Sequence, residues 1–426
     1  MSSTDLTFVI VGAGQAGGET ALELRKQGFP GRIILVGEEP HVPYRRPPLS
    51  KSFLSGASSE AALYLKPQAE WSKLGVELMG GVCAIGIDRS ARQVLLENGH
   101  RLPYDKLVLA TGGRARQLMV PGADLPNVFT VRGISDVLSM RPFCQPGKCA
   151  VVVGGGFIGL ETAAVLARMG LNVTVLEGLS RLMVRVTAPE VSSFFERVHR
   201  EAGVQFRYDV RIKTIKGQSA AEAVELADET LVPADLVIVG IGQVPNVELA
   251  IQAGLVVDNG IVVDAYGQSS DPDIYAVGDC SNHPNTFYGC RLRLESVQNA
   301  MEHGRAVATT LAGKAQLYDI VPWFWSDQYE HKLQMVGLSH GHDQIIMRGS
   351  SMGPSLALFY LKDDRVIAVD TVGMAKDFLV AKKLVAARAV VRESELAKPA
   401  IPLSDILARS SDQSASTNFA IGTARV

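Results

Sequence analysis

The chain has 426 residues, 47% of them hydrophobic, and a formal net charge of -2 at pH 7. That length exceeds the usual single-domain size, so two or three domains with sizeable cores are expected, while the near-zero charge gives no global electrostatic case for nucleic acid or an anionic membrane. With no apolar run long enough to span a bilayer, a short polar start unlike a signal peptide and five irregularly spaced cysteines, the expectation is a cytoplasmic protein with reduced thiols; monomer and homodimer both stay open.

Phe8-Val9-Ile10-Val11 is a continuous apolar run, the pattern of a strand buried on both faces of a parallel sheet. Gly12-Ala13-Gly14-Gln15-Ala16-Gly17 follows at once, then a helix-favouring segment from Glu19 to Gln27, then a second apolar run, Arg32 to Gly37, that ends on Glu38. Strand, glycines, helix, strand and acid in this order make a complete dinucleotide-binding unit. Gly12 supplies a tight turn, Gly14 lets backbone approach a pyrophosphate, and Gly17 lets the helix pack closely on the loop. The helix N-terminus presents N–H groups and partial positive charge to phosphate. Glu38 can accept hydrogen bonds from both hydroxyls of a ribose.

After Glu38 the segment from Pro40 to Lys51 carries four prolines besides His41, Tyr44, Arg45 and Arg46. It reads as a stiff loop around Arg46-Pro47, leading through Lys51 into a short helix. Its three cations, Arg45, Arg46 and Lys51, suit a phosphate or a redox-active ring. Leu107-Val108-Leu109-Ala110-Thr111-Gly112-Gly113 is another buried strand running into a glycine turn, returning the chain to the first sheet.

The same arrangement then opens again. Ala150-Val151-Val152-Val153 is a strand, Gly154-Gly155-Gly156-Phe157-Ile158-Gly159 a second phosphate loop, Glu161 to Met169 the helix, and Asn172 to Leu176 the next strand, ending on Glu177. Two such units imply two dinucleotides held at once. A carboxylate at Glu177 favours NADH over NADPH, with Arg181 and Arg185 as the residues that would weaken the exclusion. Leu236 to Gly242 closes this domain. In Asp271 to Asp279 an apolar strand delivers Gly278 and Asp279 to its C-terminal end, where ligands sit in doubly wound sheets and a carboxylate can hold a polyol chain such as the ribityl of a flavin. Glu295-Ser296-Val297-Gln298-Asn299-Ala300 opens a helix whose first N–H groups suit a carbonyl edge of an isoalloxazine. Pro322-Trp323-Phe324-Trp325-Ser326 leads into alternating segments around 333–338, 344–348, 356–361 and 366–371, then a helix from Lys376 to Val391, a small α+β domain. From about Ala408 the chain is serine-rich and expected to be mobile.

Taken together, the two glycine loops, Ala110-Thr111-Gly112, Val239-Gly240-Ile241-Gly242 and Tyr275-Ala276-Val277-Gly278-Asp279 resemble the two-dinucleotide flavoprotein disulfide reductases. Arg46-Pro47-Pro48-Leu49-Ser50-Lys51, Glu295 to Ala300 and Pro322-Trp323-Phe324-Trp325-Ser326-Asp327-Gln328 narrow the resemblance to the ferredoxin reductases of bacterial cytochrome P450s and aromatic-ring dioxygenases, the putidaredoxin reductase type. The resemblance implies an α/β fold with two Rossmann-like domains, for FAD and NADH, plus a small C-terminal α+β domain. It implies domains at 1–113 and 246–322 for FAD, 114–245 for NADH and 323–408, before a tail at 409–426. It also implies electron transfer from NADH through FAD to an acidic [2Fe-2S] ferredoxin, and so indirectly to a P450 or dioxygenase; a rubredoxin reductase, which shares these motifs, and a redox-sensing flavoprotein like apoptosis-inducing factor are the alternatives. Ala16, Glu38, Lys51, Val82, Arg132, Asp279 and Val297 match the family's FAD contacts. Lys51 would lie beside the flavin ring, Glu161 on its nicotinamide side and paired with Lys51, and Trp325 near the flavin and the ferredoxin face.

No Cys-x-x-Cys occurs, and the region after the first unit, where related enzymes keep a redox cysteine, holds Tyr44, Arg45 and Arg46. Electrons must therefore leave a flavin without a thiol relay. Arg291, Arg293, Arg305, His331 and Lys332 are the candidate cations for docking an acidic ferredoxin. The histidines show no metal-ligand spacing, and no metal site is expected. Cys280 reads as a small buried side chain.

Overall fold

The computed structural model describes residues 5–410, which form two compact units, each assembled from separate stretches of chain. The first comprises the chain up to Gln117, Thr130–Arg141 and Gly242–Ile320. Its centre is a five-stranded parallel sheet in the order Ile274–Ala276, Lys106–Leu109, Thr7–Val11, Arg32–Gly37, Val76–Gly80. Alternation along each strand fills two cores: Val9, Val11, Ile34, Val36, Leu107 and Leu109 face one side, and Phe8, Ile10, Ile33, Leu35 and Val108 the other. Burial on both faces explains why these strands read as unbroken apolar runs.

The first helix runs Gln15–Lys26, four residues earlier than its composition indicates. Gly17 and Gly18 lower helix propensity, but they are there for close packing: a Cβ on Gly17 would stand 1.9 Å from the Gly12 carbonyl oxygen. The proline loop also departs from expectation. A 3₁₀ turn spans Pro47–Ser50 and precedes Lys51, because proline's fixed φ suits the first position of a helical turn.

The second unit comprises Leu118–Phe129, Pro142–Ile241 and the chain from Val321 onward. Its parallel sheet has the order Gln205–Arg207, Asn172–Leu176, Cys149–Val153, Leu236–Val239, Val128–Phe129. The same unit holds an antiparallel sheet ordered Trp323–Gln328, His331–Gly337, Arg365–Val372, Leu356–Lys362, Gln344–Gly349. The tryptophan segment is thus an edge strand of the C-terminal α+β layer. The following helix spans Ala375–Ala386 and stops short of Val391, since Arg388 takes a left-handed φ of 44° and Val390 bridges to Arg365. Residues 403–410 are helical, with Leu403 and Ile406 buried and Arg409 3.4 Å from Glu395; the rest of the serine-rich tail, 411–426, lies outside the described residues. No helix among the described residues is long and apolar enough to cross a membrane.

Candidate functional site

Each unit carries a glycine loop of matching construction. In the first, Gly12 N–H donates to Val36 O at 2.8 Å; in the second, Gly154 N–H donates to Leu176 O at the same distance. Each loop thereby hangs from the end of the neighbouring strand. The first intrahelical bonds are Gly18 N–H to Gly14 O and Leu160 N–H to Gly156 O. The N–H groups of Gln15, Ala16 and Gly17, and of Phe157, Ile158 and Gly159, are left at the helix starts. A Cβ placed on Gly14 or Gly156 would meet no atom within 4 Å. Open space at the helix start beside free donors is what an incoming pyrophosphate needs, so both loops fit a dinucleotide.

Around the first loop the unit gathers residues from distant segments. Glu38 ends its strand exposed, and Val82 N–H donates to Gly37 O at 3.0 Å, which sets Val82 beside it. Gly278 turns with φ 73°, and a Cβ there would stand 2.9 Å from that of Ala16. Ala110 is buried at its strand end, and a Cβ on Gly112 would lie 3.3 Å from Arg132 Nη2. Asp279 Oδ2 lies 3.7 Å from Arg132 Nη2 and accepts from Gln243 Nε2 at 3.1 Å. Arg46 Nη2 donates to Glu39 Oε1 at 2.6 Å, and its Nη1 donates to the Tyr44 hydroxyl and to Arg132 O. Burial alone would raise the Glu39 carboxyl, but Arg46 and the Tyr44 hydroxyl hold it below its usual range. Burial and Arg46 push the Arg132 guanidinium down, with Asp279 opposing. Ser296 caps the helix Val297–Leu311 by accepting from Asn299 N–H, and Glu295 pairs with Arg293 at 2.7 Å. Lys51 is half-buried, with Nζ 3.3 Å from Pro47 O.

Glu39, Gln243 and Asn246 carry much of this geometry although nothing in the sequence marks them, and Tyr44, which stands where related enzymes keep a redox cysteine, joins them through its hydroxyl. Asn246 grips the Thr111-Gly112 turn through Thr111 Oγ1, Thr111 O and Gly112 O. Only the alternation of Tyr44 and Arg46 in the proline loop hinted that two of its side chains turn inward together. Arg45 points outward and is exposed.

In the second unit Glu177 sits at its strand end, where its carboxylate accepts from Gly155 N–H at 2.6 Å and Leu179 N–H at 2.9 Å. The acid thus fastens its own phosphate loop. Arg181 is spent on the loop that follows, donating to Ser192 Oγ at 2.6 Å and Thr187 O at 2.8 Å, whereas Arg185 is exposed. Glu161, on the helix Phe157–Arg168, is buried and accepts from Ser326 Oγ at 2.7 Å. Phe157 packs on Phe324 with centroids 4.7 Å apart, and Trp325 stacks on Trp323 at 5.5 Å. Ile158 is half-exposed in the first turn. Gly242, expected with this loop, belongs to the first unit, where its carbonyl accepts from Arg116 N–H.

All five cysteines are free thiols, Cys280 fully buried among them. The candidate docking cations are engaged within their own units. Arg291 holds Val263 O and the Asn282 carbonyl; Arg293 holds Glu295; Arg305 pairs with Glu19 and Lys332 with Asp327; His331 Nε2 lies 3.6 Å from Glu330. Charge reversal at Arg291 would disturb the Ser281–Asn285/Cys290–Leu292 hairpin before it tested docking, and at Arg293 it would break the pair with Glu295 and the bond to Asn259.

Two parallel sheets, each delivering a glycine loop into a helix and each ending its next strand on a glutamate, define a two-dinucleotide α/β protein. The chain belongs to the pyridine nucleotide-disulphide oxidoreductase family, whose model matches residues 6–304, and residues 323–407 match the reductase C-terminal family. It is 44% identical to putidaredoxin reductase CamA of Pseudomonas putida over 96% of this chain and 98% of that protein. It is 38% identical to the ferredoxin–NAD(+) reductase component of the anthranilate 1,2-dioxygenase system of Burkholderia cepacia, over 94% of this chain and 99% of that one. The crystal structure of the covalent putidaredoxin reductase–putidaredoxin complex is similar with a TM-score of 0.93 at 43% identity, covering 96% of this chain and 99% of the other.

Proposed function

We propose that this protein is a cytoplasmic FAD-dependent NADH:ferredoxin oxidoreductase, taking hydride from NADH onto FAD and passing single electrons to a [2Fe-2S] ferredoxin that feeds a cytochrome P450 or a ring-hydroxylating dioxygenase. The observation that carries it is the pairing of two dinucleotide loops with cysteines that are all free thiols, Cys280 beside Asp279 included, so that no disulfide stands ready as a relay. When bound, FAD would supply a ring that accepts two electrons as hydride and releases them singly. Gly12, Gly14, Ala16 and Gly17 would cradle its pyrophosphate, Glu38 and Val82 its adenosine half. Arg46, Arg132 and Asp279 would fix its middle, Thr111 and Gly112 the approach, and Ser296 and Val297 the ring. Gly154, Gly156, Ile158, Gly159 and Glu177 would hold NADH. Lys51, Glu161 and Trp325 act by charge and position; none need be a nucleophile.

The test is NADH oxidation coupled to reduction of an acidic [2Fe-2S] ferredoxin before and after alkylation of the thiols with iodoacetamide. Turnover should be the same in both. Loss on alkylation, or transfer to rubredoxin alone, would overturn the reading.

The Glu177 geometry sharpens the choice of nicotinamide. Glu177→Ala should lower kcat/KM for NADH roughly 10- to 100-fold, the usual worth of a charged hydrogen bond. NADPH should remain poor, because Arg181 is tied to its own loop and is not free to meet a 2′-phosphate. A variant that prefers NADPH would show that Arg181 or Arg185 is available after all.

A further inference from the structure

Within the second unit, Glu161 is the end of a buried polar chain. Ser326 Oγ donates to Glu161 Oε1 at 2.7 Å, and Gln328 Nε2 donates to Ser326 Oγ at 3.2 Å. Gln328 Oε1 lies 2.9 Å from His199 Nε2, and the Tyr329 hydroxyl lies 3.5 Å from His199 Nδ1. Ser326, Gln328 and His199 have no exposed surface, and Glu161 is 5% exposed. The surroundings are apolar: Leu160, Phe194, Phe195 and Leu333 belong to the same core.

The direction of the chain follows from the donor inventory. Gln328 has turned its amide nitrogen to Ser326, so its oxygen faces His199 and can only accept. His199 must then carry its proton on Nε2, leaving Nδ1 to accept from Tyr329 across a long final link. Burial holds the His199 pKa down at about 4, so the ring is neutral and a single tautomer is selected. Ser326, already accepting from Gln328, has its own proton left for Glu161. Every group donates toward the carboxylate, and no link can be dropped without stranding a polar atom in the core.

The backbone explains why these residues meet. Ser326 and Gln328 are two apart on the strand Trp323–Gln328, so they share the buried face, while Trp325 and Asp327 alternate onto the other. The helix carrying Glu161 lies along this strand, with Phe157 against Phe324, Glu161 against Ser326, and Arg168 paired with Glu330. A strand of the C-terminal sheet therefore sets the side chain of a residue on the second phosphate loop's own helix.

We propose that Ser326, Gln328 and His199 are positioning residues for the NADH half-reaction, fixing the Glu161 carboxylate in one orientation. This rests on the reading of Glu161 as the residue that faces the nicotinamide. The function of the Trp-x-Trp-Ser-x-Gln segment is then twofold: one face presents aromatic rings, and the other fastens Glu161.

The test uses the full-length holoprotein. Ser326→Ala should slow anaerobic flavin reduction by NADH roughly tenfold or more, the loss expected for a charged hydrogen bond, at unchanged flavin content. Ser326→Thr, which keeps the hydroxyl, should restore the rate. Ser326→Ala added to Glu161→Gln should slow reduction no further than Glu161→Gln alone, the signature of a shared path. A readout independent of turnover is the ring nitrogen spectrum of 15N-histidine-labelled protein. His199 should appear as the Nε2–H tautomer, and its Nε2 proton resonance should shift in Ser326→Ala although that change lies beyond Gln328. An unimpaired Ser326→Ala beside a slow Glu161→Gln, or additive losses in the double variant, would overturn this proposal alone. Wild-type reduction by Glu161→Gln would overturn the reading of Glu161 and this proposal with it. If Ser326→Ala does not fold, Gln328→Met is read by the same rate and the same His199 resonance.

Discussion

Gly156→Ala is expected to yield a yellow, folded protein that NADH reduces poorly, and Gly14→Ala a folded protein that holds its flavin roughly 10- to 100-fold more weakly and loses part of it on purification. The contrast with the neighbouring glycines is what makes the pair informative. At Gly17 and Gly159 a Cβ would stand 1.9 and 2.1 Å from the backbone oxygens of Gly12 and Gly154, so alanine there would push loop from helix and damage the unit itself. At Gly14 and Gly156 a Cβ meets no protein atom, and the backbone is extended, with φ of -82° and -83°. Alanine is compatible with both. It should even stabilise the fold by about 0.4–1 kcal/mol by restricting the unfolded chain. The methyl intrudes only on what approaches from outside. If a pyrophosphate must lie against that backbone, a steric cost of roughly 1–3 kcal/mol, or a 10- to 100-fold loss, falls on binding alone. Thermal melting, the flavin spectrum of the purified protein and kcat/KM for NADH separate the terms. A Gly156→Ala protein lacking flavin, or a Gly14→Ala protein that keeps it while losing NADH, would reverse the assignment of the two loops.

The parts of this molecule that could be read from the chain are those whose physics is local. Both loops, their strands and the terminal acids Glu38 and Glu177 are contiguous patterns, and burial on both sheet faces writes itself as Phe8-Val9-Ile10-Val11 and Ala150-Val151-Val152-Val153. Local reading misplaced boundaries wherever packing overrode propensity: Gly17 is legible as a packing glycine, yet it and Gly18 lie inside the helix, which starts at Gln15 and not at Glu19. What escaped was cooperation between segments far apart in sequence. Arg46 reads as a loop cation suited to a phosphate or a redox-active ring, but nothing local to it shows that Glu39 and Arg132 O hold its guanidinium. Asp279 was visible at its strand end, but Gln243 was not. Arg181, Arg291 and Arg293 read as free charges, yet each is a bracket for its own loop, a role that leaves no trace in spacing. Ser326 and Gln328 read only as part of a motif; their purpose emerges when His199 and Glu161 arrive from other elements.

Acidification from pH 7 to 5 should destabilise the first unit by about 4 kcal/mol and leave the second nearly unchanged. In the first unit His283 and His303 are fully buried beside Tyr318, with ring centroids 5.3 Å apart. Burial, reinforced by Arg291 and opposed by Asp319, lowers His283 to about 4; burial and His283 lower His303 well below 6.5. Above pH 6.5 neither folded nor unfolded chain protonates these rings. Below it the unfolded chain binds two protons that the folded unit refuses, so stability falls as pH falls, by about 2 kcal/mol per histidine at pH 5. Among its described residues the second unit contains one such group, His199, but also its opposite. Burial, against the Tyr360 hydroxyl at 2.6 Å, raises the Asp370 carboxyl to about 7. Between pH 7 and 4 the folded unit binds a proton at Asp370 that the unfolded chain does not, and stability rises as pH falls. The two terms are of similar size and opposite sign. The tryptophans distinguish the units, since Trp71 is buried in the first while Trp323 and Trp325 lie in the second. With Trp323 and Trp325 replaced by phenylalanine, the Trp71 denaturation midpoint should fall steeply over this range, and flavin release should track it. With Trp71 replaced instead, the midpoint should barely move until Asp370→Asn removes the compensation, after which it too should fall with acid. Equal acid sensitivity of both reporters, or no effect of Asp370→Asn, would show that the buried histidines and Asp370 do not govern acid stability in this way.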